Sequence, residues 1–187
     1  MAVPAIEALR YTKLKEQYAN LIATSMDSAT AVEAHPAFVE ILKQLTPDEA
    51  KILQFLPRLG RHEPLVDLGF ELPEKGNFII YRHASTIAND AGCSADETVP
   101  QHIDNLWRLG LTDIPAVKRL AEDWRYHRIR NLAIIDAIKA KMPEGARFRI
   151  EQKIFGITII GESFRAACIA EPNQQPNRAN GFYFGSL

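Results

Sequence analysis

Five histidines, His35, His62, His83, His102 and His127, and two cysteines, Cys93 and Cys168, are the side chains best suited to metal binding or nucleophilic chemistry. Their spacing does not assemble a site. The histidines are dispersed and form no His-Glu-x-x-His pair, and the cysteines lie far apart with no Cys-x-x-Cys spacing. Gly161-Glu162-Ser163 lacks the second glycine of a strained nucleophile elbow, and no phosphate-cradling glycine loop occurs. The carboxylate pairs Asp48-Glu49 and Glu122-Asp123 are adjacent in sequence, so on a helix they diverge and cannot share a proton. The expectation is a protein with no catalytic residues, no metal set and no cofactor, hence not an enzyme. His35, just before Pro36, is expected to support a turn, and Cys168 to pack as a buried thiol.

One stretch does offer surface chemistry. Residues 147–154, RFRIEQKI, alternate polar and apolar as a half-buried strand does. That places Arg147, Arg149 and Lys153 on the face opposite Phe148, Ile150 and Ile154. Beyond Ala170 the chain is rich in Pro, Asn, Gln and Gly and reads as a loose tail, except for Phe182, Tyr183 and Phe184. Exposed charge beside exposed aromatic rings is an interface composition. Arg147, Arg149, Lys153, Phe182, Tyr183 and Phe184 are therefore the candidate interaction surface, for a protein partner or for self-association.

Composition narrows the class. The chain has 187 residues, 47% hydrophobic, and a formal net charge of −1, which gives no general case for nucleic acid. The charge is uneven: residues 1–100 carry nine Lys/Arg against fourteen Asp/Glu, and residues 101–170 carry twelve against eight. No run of about 18 apolar residues suggests a membrane segment. The start, MAVPAIEALR, lacks a basic region followed by an apolar block, so no signal peptide is expected. With two reduced thiols, a cytoplasmic location follows.

The elements that must position these residues are legible in turn. Ile6, Leu9, Leu14, Tyr18, Leu21 and Ile22 predict a long helix over 4–26 within an arm spanning 1–34. Phe38, Ile41, Leu42 and Leu45 predict a second helix behind Pro36. Thr46, Pro47 and Glu49 then form the signature of a capping box, opening a third helix with Ala50, Leu53 and Leu56 on its apolar side. Residues 65–70 and 77–81 read as strands joined by a turn at 74–77, and 84–91 as a short helix. Ile103, Leu106, Trp107 and Leu109 predict a helix over 99–109 closing on Gly110. Leu120, Trp124, Leu132, Ile135, Ile138 and Met142 predict one long helix over 116–142. The 146–160 stretch is either one long bent strand or a hairpin at Gln152-Lys153. Thr158 is expected to cap a last helix with Ile160, Phe164 and Cys168 on one face.

Three phrases carry a resemblance. His35, Pro36 and Phe38 lead into Leu42 to Leu45, Thr46, Pro47, Glu49 and Ala50. Asn105, Leu106 and Arg108 to Leu111 follow, and Thr158, Gly161, Phe164 and Cys168 close the series. In this order they resemble the abortive infection alpha family of bacteria, with Ile157 standing where leucine is usual. The resemblance implies a phage-defence setting and brings no catalytic residues.

The resulting expectation is an α+β protein, mostly helical. It has a winged-helix-like core with a small antiparallel sheet, a long amino-terminal helix and a long helix before the wing strand. The family-like domain spans 35–170 and the tail 171–187. Leu53, Leu56, Leu106, Leu109, Ile150 and Phe164 should be buried together. The rival reading is a winged-helix DNA-binding transcriptional regulator, with Arg108, Lys118, Arg119, Arg147, Arg149 and Lys153 on phosphates. Against it, the 99–109 helix is expected to expose Gln101, His102, Asp104 and Asn105, so DNA binding should be weak and non-specific.

Overall fold

A computed structural model describes residues 14–26, 34–94 and 98–169. Phe182, Tyr183, Phe184 and the first part of the expected 4–26 helix lie outside them. The expected second and third helices form as α2 (Ala37–Gln44) and α3 (Pro47–Phe55), after α1 (Lys15–Met26). The capping box between α2 and α3 is complete: the Glu49 N–H donates to Thr46 Oγ1, and the Thr46 N–H donates to a Glu49 carboxylate oxygen. This satisfies two amide groups that a helix start otherwise leaves orphaned.

The chain then makes the hairpin β1 (His62–Leu72) and β2 (Gly76–Ala84). Glu74 and Gly76 adopt positive φ in its turn, at 63° and 86°. Next come the short α4 (Ile87–Asp90), α5 (Val99–Arg108) and the two-residue β3 (Thr112–Asp113). Gly110, at φ 72°, lets the Leu111 N–H reach back to the Leu106 carbonyl and close α5. β4 (Arg147–Ile157) is one continuous strand, which decides between the two geometries left open for 146–160. The sheet order is β2-β1-β4-β3, all antiparallel. At Gly69 the hairpin strands approach so closely that an added Cβ would lie 1.9 Å from the Phe78 carbonyl oxygen. α8 (Ile159–Phe164), capped by Thr158 as expected, continues into a π turn at Arg165–Ile169. The α+β class holds.

The predicted 116–142 helix does not form. Its span contains a 3₁₀ turn (Asp123–Tyr126), α6 (His127–Arg130) and α7 (Ala133–Ala140). Tyr126 explains the break: fully buried, its hydroxyl donates to the Lys153 carbonyl and accepts from the Leu120 N–H. A straight helix could not hold both bonds, because Leu120 and Tyr126 are six residues apart and must double back. Leu132 is extended at ψ 138°, a second interruption. Helical periodicity was present, but tertiary contacts overrode it. Trp124 and Trp107, expected on apolar faces, are 68% and 52% exposed.

The described residues form two cores. The larger joins α1, α2, α3 and α5 with β4, α8 and the π turn, and includes Leu53, Leu56, Leu106 and Phe164, with Leu109 at its margin. The smaller lies under α6 and α7 on the other side of the sheet, around Val66, Leu68, Tyr126, Ile135 and Ile138. Ile150 packs on this second cluster, so the expected single cluster of six is divided. The division follows strand parity: Leu65 and Val66 on β1 are neighbours in sequence and point to opposite faces.

Candidate interaction surface

The residues of the three sequence phrases are engaged with one another. Glu49, 3% exposed, accepts from Thr46 N–H at 2.7 Å and from Asn105 Nδ2 at 2.9 Å, while His102 Nδ1 lies 3.3 Å from its other oxygen. Asn105 Nδ2 also donates to the Gln44 carbonyl, and Arg108 bridges Gln44 Oε1 and Asn105 Oδ1. The first phrase is thereby tied to the second. Thr158 Oγ1 donates to the Gly110 carbonyl at 2.6 Å, and the Thr158 N–H donates to Leu111 O. A Cβ on Gly161 would lie 1.9 Å from that same Leu111 oxygen. Phe164 meets Phe38 edge to face, with centroids 5.3 Å apart, which ties the third phrase to the first. His102 and Asn105, expected on the exposed side of α5, are instead partly buried in this network.

The other candidate reactive groups are occupied in similar ways. His35 Nδ1 accepts from the Ala37 N–H at 3.1 Å, so it supports the turn before α2 as expected. His83 is buried at φ 57°, and its Nδ1 sits 2.7 Å from Asp104 Oδ1, an ion-pair distance off hydrogen-bond angles. Cys168 is fully buried, and burial pushes its thiol up to about 12. Among the described residues no group of three or more His, Cys, Asp or Glu is placed to hold a metal ion.

The basic strand is divided. Arg147 and Arg149 are exposed. Lys153 is not available: its Nζ donates to Asp67 Oδ2 at 2.6 Å, and the Asp67 side chain is fully buried. Asp67 also accepts from the His83 N–H at 3.0 Å. Strand parity correctly put Lys153 opposite Ile154, but that face of β4 is itself covered at Lys153.

A second surface was not anticipated. β2 is an edge strand, and its outer edge pairs with no strand among the described residues. Phe78, Ile79 and Ile80 on it are 41%, 42% and 53% exposed. A cleft of about 520 Å³ runs between the end of β2 and α7, lined by Tyr81, Ala84, Ser85, Val99, Ile134 and Ala137 among others. A second hollow of about 400 Å³ shares Tyr81, Ile134 and Ala137 with it and continues along Phe70, Ile80 and Ile138 to Lys141. The signal for β2 was available: 78–80 are three successive apolar residues, and alternation would bury only one face. The α7 side was hidden by the expectation of a single 116–142 helix.

The family model described as Abortive infection alpha matches residues 1–168. No curated protein matches the chain. A solved structure of an uncharacterized protein from the hydrocarbon-degrading marine bacterium Alcanivorax borkumensis SK2 is similar at 19% identity and a TM-score of 0.49. The similarity covers 74% of this chain and 95% of that one. No helix among the described residues is long and apolar enough to cross a membrane.

Proposed function

The chain belongs to the abortive infection alpha family, and we propose that it serves bacterial phage defence as a non-enzymatic module acting through a protein surface. The family match carries the first half. The second half is supported by where the family-like residues go. Thr46, Glu49, Asn105, Arg108, Thr158 and Gly161 are spent on joining helices to one another, and each has a partner inside the fold. A module of this kind acts through what it leaves exposed, Arg147, Arg149 and the apolar edge of β2, and the sequence Phe182-Tyr183-Phe184 joins this surface on composition alone.

The test is expression in a bacterial host challenged with a panel of phages. The expected result is fewer plaques for at least some phages. It should persist in a His102→Ala variant and in a Ser163→Ala variant, each checked for folding. Loss of protection in a well-folded variant of either kind would overturn the non-enzymatic reading, and no protection by the parent against any phage would overturn the defence role.

One observation favours a second reading, a winged-helix DNA-binding regulator. The elements α3, β1, α4, α5, β3 and β4 follow winged-helix order, and β1-β4-β3 is the strand order of that core. Against it, the outward side of α5 carries Gln101, Asp104 and Trp107 beside Arg108, and Arg108 is bonded to Gln44 and Asn105. Fold likeness does not carry function. Titration of labelled duplex DNA across salt concentrations should show weak binding without sequence preference, and tight selective binding would promote the regulator.

A further inference from the structure

We infer that the cleft between β2 and α7 receives an extended segment of a partner protein, added as a strand to the open edge of β2. The segment is apolar at alternate positions and carries a carboxylate where it passes Lys141. This rests on the reading of the chain as an interaction module and names the partner chemistry of one of its surfaces.

Three observations converge. The first is the edge itself. A strand at the end of a sheet presents unpaired N–H and C=O groups, and proteins that keep such an edge idle protect it with charge, proline or a covering element. Residues 77–81 of β2, Asn-Phe-Ile-Ile-Tyr, contain neither charge nor proline, the exposed charge of the strand being confined to Arg82 near its end, and Phe78, Ile79 and Ile80 face solvent. The second is the pair of hollows. They lie end to end beside this strand and share the walls Tyr81, Ile134 and Ala137. A strand's side chains alternate between faces, so an added strand would direct every second one into the cleft. Mostly apolar walls of this size match ligand-binding concavities. The small Ala137 keeps the passage between the two hollows open.

Charge complementarity is the third. Lys141 closes the far hollow and makes no ion pair among the described residues. Lys153, Arg130 and Arg128 are committed to Asp67, Asp123 and Asp90, whereas Arg82, on β2 itself, is exposed and likewise makes no ion pair among the described residues, so the charge left beside the cleft is positive. A carboxylate on the incoming segment supplies the missing partner for Lys141, and fixes the direction in which the segment lies.

The experiment uses the full chain and a set of fluorescein-labelled eight-residue peptides alternating valine or leucine with threonine, with aspartate at one end or the other. Fluorescence anisotropy gives the affinities. The expected result is saturable binding by a subset, weakened about tenfold or more by Ala137→Trp, which fills the passage, and by Lys141→Glu, which reverses the charge. Methylating alternate backbone nitrogens of a binding peptide should abolish binding, because strand addition depends on main-chain hydrogen bonds. Melting temperatures keep the variants comparable, and Ala137→Leu is the milder substitute if Ala137→Trp fails to fold. Equal affinity for parent and cleft-filled variant, binding indifferent to backbone methylation, or no saturable binding up to about 1 mM would each overturn the proposal. So would a concentration-dependent dimer joined through β2, which would show the edge to be taken by a second copy. If peptides bind but the chain gives no phage protection, the cleft stands and the defence reading falls. Protection without peptide binding gives the reverse.

Discussion

Asn105 Nδ2 stands 2.9 Å from Glu49 Oε2, a bond between the middle of α5 and the first turn of α3. It gives one carboxylate two tasks. Glu49 caps its own helix through the Thr46 N–H and anchors a second helix 56 positions away. Glu49→Ala would orphan the Thr46 N–H, leave Asn105 Nδ2 with the Gln44 carbonyl alone, and leave the His102 ring with Thr98 alone. The expected loss is about 2–4 kcal/mol, from a lost cap of about 1 kcal/mol and buried donors left unsatisfied at about 1–3 kcal/mol. Asn105→Ala should cost less, about 1 kcal/mol, since Arg108 keeps Gln44. Urea denaturation of both single variants and of the double variant checks this, and additive losses would show that the two residues are not coupled.

The ion pair between Lys153 and Asp67 predicts unequal costs along β4. Lys153→Ala leaves a fully buried carboxylate without its cation, and should cost about 3–5 kcal/mol. Arg147→Ala and Arg149→Ala, at exposed positions, should each stay within about 0.5 kcal/mol of the parent. Thermal melts of the three variants test the ranking. A triple alanine change at these positions would confuse surface loss with unfolding, so the basic surface is properly tested with Arg147 and Arg149 alone.

Packing predictions follow from Leu106 and Gly161. Leu106 is fully buried in the larger core, and Leu106→Ala should cost about 2–5 kcal/mol. Gly161→Ala must push α8 away from Leu111, because the clashing atom is a backbone oxygen with no freedom to rotate aside. The cost expected for such overpacking is about 1–3 kcal/mol or more. A loss under about 0.5 kcal/mol at either site, the surface range, would contradict the geometry described.

Asp123 carries a pH prediction. Hydrogen bonds from Arg130, first, and from Gln152 lower its carboxyl to about 2. A carboxyl depressed on folding adds stability above its unfolded value of about 3.9, and that stability is lost as pH falls through the folded value of about 2. The contribution therefore disappears between those two limits. Carboxyl NMR should place the midpoint near 2, and Arg130→Ala should move it up toward the ordinary carboxylate range. Cys168 gives a companion test at the alkaline end: alkylation near pH 8 should leave it unmodified until the protein unfolds.

Local signals were read well because they concern neighbours in sequence. Thr46 with Glu49, Thr158 with Gly161, and the turn at Glu74 and Gly76 all act over two or three residues, and all form. Leu53, Leu56, Leu106 and Phe164 were recognisable as core from spacing alone. What escaped depends on distant partners. Tyr126 breaks the 116–142 helix because Lys153 lies beside it in space. Lys153 leaves the basic surface because Asp67, on another strand, is buried beneath it. The cleft needed both β2 and a correctly bounded α7, and only the first could be seen in the sequence.

The antiparallel pairing of β1 with β4 also bears on how the protein comes into being. Asp67 and Lys153 are 86 positions apart, and they meet in the middle of the sheet. Such high contact order slows folding, because the cost of closing a long loop comes before its contacts form. On the ribosome, the β1–β2 hairpin emerges with both edges bare and stays so until β4 has left the exit tunnel. A nascent chain stalled before Arg147 would display an aggregation-prone ribbon holding Asp67 without its cation. Chaperone demand during translation should therefore fall steeply once β4 has emerged.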